Sequence, residues 1–374
     1  MLLWVGLVVG AMLFVAYANG ANDNFKGVAT LFGSRTTDYK KALGWATATT
    51  FAGSVAAFFL ATKLVKTFQG KGLIPPTLAE SEPFLGAVIL GAALTVFLAS
   101  RIGMPISTTH SLTGALLGGG LMAVGSSLGF DTLWKSFLAP LLLSPLIAIG
   151  MAFVAYPLLK LATTSLGLTK ESCLCIGEEM VPVVVAPEGH FMATGSKELR
   201  LIVGQEVDCV QRFTGNIFGV NAQTLLDLGH YLSAGAVSFA RGLNDTPKIV
   251  ALCVAAGTLD LGWAMCLVAL FMALGGLLES RRVAETVSRR ITGMEPDQGF
   301  IANLITSSLV IFASRWGLPV STTHVSCGAL FGIGVANGKA QWGVIRNILL
   351  AWVSTLPVAA LLAGGTFMLL QQLA

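Results

Sequence analysis

Apolar runs of about 20 residues recur along this chain, and each is long enough to cross a bilayer as a helix. That feature limits the fold before any motif is read. Of the 374 residues, 54% are hydrophobic and only 11% are charged, against about 25% charged in a soluble domain. Mean hydropathy is +0.77. The expectation is an all-α polytopic membrane protein, with glycines serving close helix packing and helix breaks. Net charge says little here, because the placement of charges outweighs their sum. The N-terminus is apolar at once, without a basic stretch, and reads as a retained first helix rather than a cleaved signal. Cys253, Cys266 and Cys327 read as small hydrophobes in apolar segments. Cys173, Cys175 and Cys209 lie in a polar stretch, match no zinc pattern and suggest no disulfide framework.

Within this apolar background one stretch occurs twice. Arg101–His110 (RIGMPISTTH) returns as Arg315–His324 (RWGLPVSTTH), identical at seven of ten positions with an offset of 214. Gly114, Ala115 and Leu116 return as Gly328, Ala329 and Leu330. A second pair of motifs has an offset of 222: Asn22, Asp23 and Lys26 return as Asn244, Asp245 and Lys248. Gly44-Trp45-Ala46 likewise returns as Gly262-Trp263-Ala264. The chain therefore divides into a first transmembrane repeat, 1–160, a polar loop region, 161–222, and a second repeat, 223–374. The middle region reads as a linker or a small loop domain, with short strands at Met180–Val185 and Leu199–Val203.

Spans are expected at about 1–18, 42–65, 84–100, 107–125 and 133–160, and again through the second repeat. Five crossings per half is an odd number, so the second half sits upside down relative to the first. Basic residues concentrate on one set of loops: Arg35, Lys40 and Lys41, the middle region, Arg281 to Arg290, and Lys339. The opposite loops hold chiefly Lys63, Lys66 and Lys71. By the positive-inside rule the termini lie outside and the middle region is cytoplasmic, in a cell inner (plasma) membrane.

Both motif pairs are expected to interrupt helices near the midplane. At such depth a helix break leaves backbone groups free, which is tolerated only where they are buried or face a ligand. Pro105 and Pro319 stop helices, and Ser107-Thr108-Thr109 and Ser321-Thr322-Thr323 start new ones as N-caps. Hydroxyls and free N–H groups at two facing helix starts form a cradle for an oxyanion. The plain alternative is a pair of proline kinks with capping hydroxyls. Asp23 and Asp245 are costly at membrane depth unless paired. With the carbonyl oxygens of Asn22 and Asn244 they suit a hard cation such as Na⁺, and such cations would offset their repulsion of an anion. Lys26 and Lys248 are alternative ion-pair partners, and a helix-capping role is the plain reading of each Asp. His110 and His324 read as buried hydrogen-bonded groups or as donors to the anion. His110 and His324 could alternatively carry a proton, and Arg101 and Arg315 read as side chains reaching the interface or as groups steering anions.

Four motif copies in this order resemble the inorganic phosphate transporter (PiT) family. The resemblance covers nearly all of the chain outside 161–222. It implies symport of inorganic phosphate with Na⁺, or with H⁺ as in many bacterial members, an inverted-repeat fold and a homodimer. Under it Asp23 and Asp245, with Asn22 and Asn244, hold Na⁺. Ser107, Thr108, Thr109, Ser321, Thr322 and Thr323, again with both Asn, hold phosphate. No organic cofactor and no nucleic acid is implied. One departure stands out: a Glu before Thr is kept at Glu285-Thr286, whereas the first repeat has Lys66-Thr67. A proton-coupled phosphate or metal-phosphate symporter and a sulfate permease remain alternatives within the class. A passive channel is a further reading. An enzyme would need a nucleophile beside a base or a metal cluster, and the chain offers no HExxH, GxSxG or P-loop pattern.

Overall fold

A computed structural model describes residues 2–373 other than 168, 170, 180–182, 186–190, 194–198 and 206–212. Five principal helices build the first half. They are α1 (Leu2–Asp23), α2 (Tyr39–Leu60), α3 (Glu82–Arg101), α4 (Thr108–Val124) and α5 (Ala139–Ser165). Five more build the second: α6 (Ala222–Ala255), α7 (Leu261–Glu279), α8 (Pro296–Trp316), α9 (Thr322–Ala336) and α10 (Trp342–Gln371). Among the described residues, seven helical segments are long and apolar enough to cross a membrane. The segments starting α4 and α9 are shorter, at 17 and 15 residues. Helix α6 is long but carries Arg241, Asp245 and Lys248 in its middle.

Each repeated stretch folds as its proline and serine dictate. Helix α3 ends at Arg101 and α8 at Trp316, where Gly317 takes the left-handed conformation (φ 77°) that L side chains rarely adopt. After each proline, Ser107 and Ser321 cap the next helix. Their side chains accept from the backbone N–H of His110 and His324 at 3.1 and 3.2 Å.

The two Asn-Asp motifs behave differently, and the second corrects the sequence reading. Helix α1 continues through Asn22 and stops at Asp23, giving way to a 3₁₀ turn at Lys26–Val28 and a short helix at Ala29–Gly33. In the second half α6 runs unbroken through Asn244 and Asp245, with Pro247 inside it. The reason lies in the partners. Asp245 has Arg241 and Lys248 on its own helix, four residues before and three after, at 3.8 and 3.9 Å. Helical geometry thus supplies both counter-charges. In the first half Asn24 instead reaches off-helix, donating to Thr47 and accepting from Arg241.

The halves pack through equivalent contacts. A Cβ on Gly20 would collide with the carbonyl oxygen of Met272, and one on Gly242 with that of Thr50. Both pairs are related by the same offset of 222, so α1 lies on α7 as α6 lies on α2. Likewise α4 approaches α10 at Gly114 and Leu356, and α9 approaches α5 at Gly328 and Pro145. Each half therefore completes its core with helices of the other.

Residues Pro157–Gly229 form a separate compact unit. It includes the ends of α5 and α6 and, between them, a three-stranded antiparallel sheet. Its order is β4 (Leu199–Gln205), β1 (Ser172–Glu179), β5 (Phe213–Asn221). The short strands β2 (Val183–Val185) and β3 (Phe191–Ala193) pair beside it in sequence. Of the strand expected at Met180–Val185, Val183–Val185 forms β2, and residues 180–182 lie outside the described residues. The described residues of this segment thus include a folded sheet. Cys175 on β1 is disulfide-bonded, while Cys173 is a free buried thiol. Cys209 lies outside the described residues.

Candidate functional site

Where α1 ends and α6 passes, the two hydroxyl triplets meet. Thr323 donates to the Ile106 carbonyl at 3.0 Å, and Thr109 donates to the equivalent Val320 carbonyl at 3.3 Å. The starts of α4 and α9 therefore abut across the boundary between halves. Asn22 and Asn244 hold the unwound segments in place. Asn22 donates to Ser100 and to the Met104 carbonyl, both at 3.0 Å, while its carbonyl oxygen accepts from Ile106 N at 3.1 Å. Asn244 donates to the Val320 carbonyl and to Thr322, at 3.2 and 3.1 Å, and accepts from Ser314 at 3.1 Å. Ser100 and Ser314 occupy equivalent positions.

Five ionic side chains converge on this point, all at most 4% exposed: Asp23, Lys26, Arg241, Asp245 and Lys248. Burying single charges at such depth is costly, and partners and hydrogen bonds offset the cost only if the geometry is good. Asp23 is well served. It pairs with Lys26, accepts from Asn19 at 2.9 Å, and accepts from Thr108 and Thr323 at 3.2 and 3.3 Å. Asp245 accepts from Asn244 at 3.0 Å and from Asn19 at 3.2 Å, with its two cations farther off. The two lysines cross between halves. Lys26 Nζ donates to Thr323 and Lys248 Nζ to Thr109, each at 2.8 Å.

The structure thus brings together every residue that the motifs single out for the site, and it divides the triplets. Ser107 and Ser321 cap helices. Thr108 lies on the Asp23 carboxylate and Thr322 on Asn244. Thr109 and Thr323 meet the lysines. The remaining candidates lie elsewhere or do otherwise. Arg101 is half exposed and pairs with Glu279 at 3.4 Å, and Arg315 is exposed. Glu285 pairs with Arg281 at 3.5 Å, about half exposed, so the missing Glu of the first repeat removes nothing from this site. His110 and His324 are buried with ring centroids 4.3 Å apart, and His324 stacks on Trp352. They are not the fully hydrogen-bonded pair that burial alone suggests: His110 Nδ1 and His324 Nε2 have no hydrogen-bond partner among the described residues.

Arg241 and Asn19 are the functional candidates that the motif reading passes over. Arg241 Nη2 donates to Asn19 Oδ1 at 2.6 Å, and Nη1 donates to Asn24 and Thr50. The signal was present, since both sit four residues before an Asp, on the same helical face. Three cationic side chains thus face two carboxylates, and the centre has a surplus positive charge. Such a centre favours an anion, and its hydroxyls and carbonyls supply oxygen ligands for small cations.

Known proteins resemble the chain over its whole length. A protein of Thermococcus kodakarensis named as a phosphate permease is 27% identical, covering 98% of each chain. One of Rhizobium meliloti named as a low-affinity inorganic phosphate transporter is 28% identical, covering 97% of this chain and 95% of its own. A solved structure titled as the sodium-dependent phosphate transporter superposes with a TM-score of 0.76 at 21% identity, covering 99% of this chain and 100% of that one, and it shares the fold. The profile of the phosphate transporter family matches residues 19–363, from Asn19 at the site through both triplets, so this chain belongs to that family of transporters and not to an enzyme class.

Proposed function

We propose that the protein imports inorganic phosphate by symport with Na⁺ through alternating access. One observation carries this reading: two hydroxyl triplets at helix starts abut beside a buried cluster of three cations and two carboxylates. Phosphate lies between the triplets, held by Thr109, Thr323 and backbone N–H groups, with Thr108 and Thr322 behind them. Na⁺ lies at Asp23 and Asp245, among hydroxyl and carbonyl oxygens. The site side chains are enclosed, so access requires the packed halves to move against each other. Ser107, Ser321, Asn22 and Asn244 act by holding the two breaks open.

Inverted repeats support such a motion. The two breaks have equivalent neighbours drawn from opposite halves: Gly103 lies against Arg282, and Gly317 against Lys63. Contacts of Thr37 with Tyr231, Phe32 with Arg289 and Glu295 with Lys339 gather the basic loops at one end of the helices. That end is cytoplasmic by the positive-inside rule, which puts both termini outside in an inner (plasma) membrane. The disulfide at Cys175 argues the other way, because disulfides persist in oxidising compartments. Protease access to Pro157–Gly229 in inside-out and right-side-out vesicles decides between the two. A homodimer completes the reading, and crosslinking in membranes tests it.

Uptake of labelled phosphate into proteoliposomes tests the function. An imposed Na⁺ gradient should drive accumulation, with competition by arsenate and not by sulfate. Uptake driven by a pH gradient and indifferent to Na⁺ would assign the coupling to protons. Competition by sulfate would change the substrate.

A further inference from the structure

The environment of Lys26 Nζ is unusual for an ammonium. Four oxygens converge on it: the carboxylate of Asp23, Asn22 Oδ1 at 2.7 Å, the Ile106 carbonyl at 2.9 Å and Thr323 Oγ1 at 2.8 Å. An ammonium has three hydrogens and no acceptor, so four acceptors leave at least one hydrogen shared between two oxygens or one oxygen unserved. A bare cation can bind all four, and this mixture of carboxylate, amide, carbonyl and hydroxyl oxygens is the set that hard cations choose. The second half has a looser copy. Lys248 Nζ meets the Val320 carbonyl at 2.6 Å and Thr109 Oγ1 at 2.8 Å, with the Asp245 carboxylate at 3.9 Å. Ile106 and Val320 are equivalent, as are Thr109 and Thr323. The carbonyl and hydroxyl positions therefore recur in the second half, with the carboxylate farther off.

Each ammonium is also at the anion cradle. Its hydroxyl contact is the last residue of the opposite triplet, beside the start of α4 or α9. The lysine stem is flexible, so its charge can turn from the carboxylate toward the triplets when the halves move apart.

We propose that Lys26 and Lys248 are phosphate-binding residues held in reserve in two sodium cages. Na⁺ takes the oxygens of each cage, the ammonium is displaced toward the triplets, and phosphate receives it. This rests on the phosphate and Na⁺ reading above and adds to it a direct link between the two ligands. Cation binding releases the groups that bind the anion. Neither ligand then binds well alone, which is what symport requires.

The prediction is a pair of opposite shifts. In Lys26→Gln and in Lys248→Gln the cage has lost its internal competitor and the cradle has lost a charge. The half-saturating Na⁺ concentration for phosphate uptake should fall, while the KM for phosphate at saturating Na⁺ should rise about tenfold or more, the effect of one charge-assisted hydrogen bond. The full chain is purified in Na⁺, so that Asp23 or Asp245 keeps a counter-ion, and is checked for a single sharp size-exclusion peak. Lys248→Gln, at the looser cage, carries the test if Lys26→Gln does not fold. Shifts of both constants in the same direction, or an unchanged phosphate KM, would overturn the proposal. Wild-type uptake that ignores Na⁺ would instead defeat the symport reading, before any variant is made.

Discussion

Asn19 and Arg241 hold the same position in the two repeats, and they bond to each other: Arg241 Nη2 donates to Asn19 Oδ1 at 2.6 Å. The amide nitrogen of Asn19 then reaches both carboxylates, Asp23 at 2.9 Å and Asp245 at 3.2 Å. The Asn19 amide therefore joins the two acidic residues, and Arg241 holds that amide in place. Loss of one partner from a buried ionic group typically costs about 3–5 kcal/mol, because the other charge stays buried. Arg241→Ala should lower the thermal unfolding midpoint in detergent markedly. Arg241→Lys should recover little, since one ammonium cannot span Asn19, Asn24 and Thr50. An unchanged midpoint in both variants would show that the bridge is not structural.

Asp23→Asn and Asp245→Asn keep the shape of each side chain and remove its charge. Sodium-driven uptake should drop to background in both, while the purified proteins stay monodisperse. Exchange of phosphate without Na⁺ dependence is the telling measurement. Wild-type coupled uptake in both variants would reduce these acids to structural partners of the lysines.

The division of the triplets gives a sharper pair. Thr109 and Thr323 meet the lysines, Thr323 reaching Asp23 as well at 3.3 Å, whereas Thr108 meets Asp23 and neither lysine. Thr109→Val and Thr323→Val should raise the phosphate KM several-fold, about one hydrogen bond each, and, because each hydroxyl also lines a cage, the Na⁺ requirement with it. Thr108→Val should raise the Na⁺ requirement and leave the phosphate KM near wild type. Titrations of uptake against phosphate and against Na⁺ separate the two classes, and identical effects from all three would erase the division.

Much of this was readable in the chain. The apolar runs fixed a helical membrane protein because hydrocarbon leaves backbone groups few other partners. The duplicated Pro-x-Ser-Thr-Thr-His stretch marked both helix starts, since proline and serine act locally. What escaped was set by distant partners. The Asn-Asp motif reads alike in both halves, yet only the first ends its helix, because Asp245 alone has a cation on either side of it in α6. Arg241 looked like one more basic residue until folding placed it against Asn19 and Asn24. The strands of the middle segment left only a weak trace, as short alternating stretches do among polar residues. The cage around Lys26 draws on residues from both halves, and neither motif alone reveals it.

Close packing supplies a prediction independent of transport. Gly242 lies in α6 where α2 passes, and a Cβ there would collide with the Thr50 carbonyl oxygen and approach Ser54 N at 2.8 Å. These are backbone atoms and cannot turn aside, so the helices must separate. Overpacking of this kind typically costs about 1–3 kcal/mol. The displacement would also pull Arg241 from Thr50, which it contacts at 3.3 Å. Gly242→Ala should therefore lower both the unfolding midpoint and the transport rate. Gly44→Ala, on α2 with nothing within 4 Å of the added carbon, should leave both near wild type. A Gly242→Ala protein with the stability of Gly44→Ala would show that the halves are not packed together at this crossing.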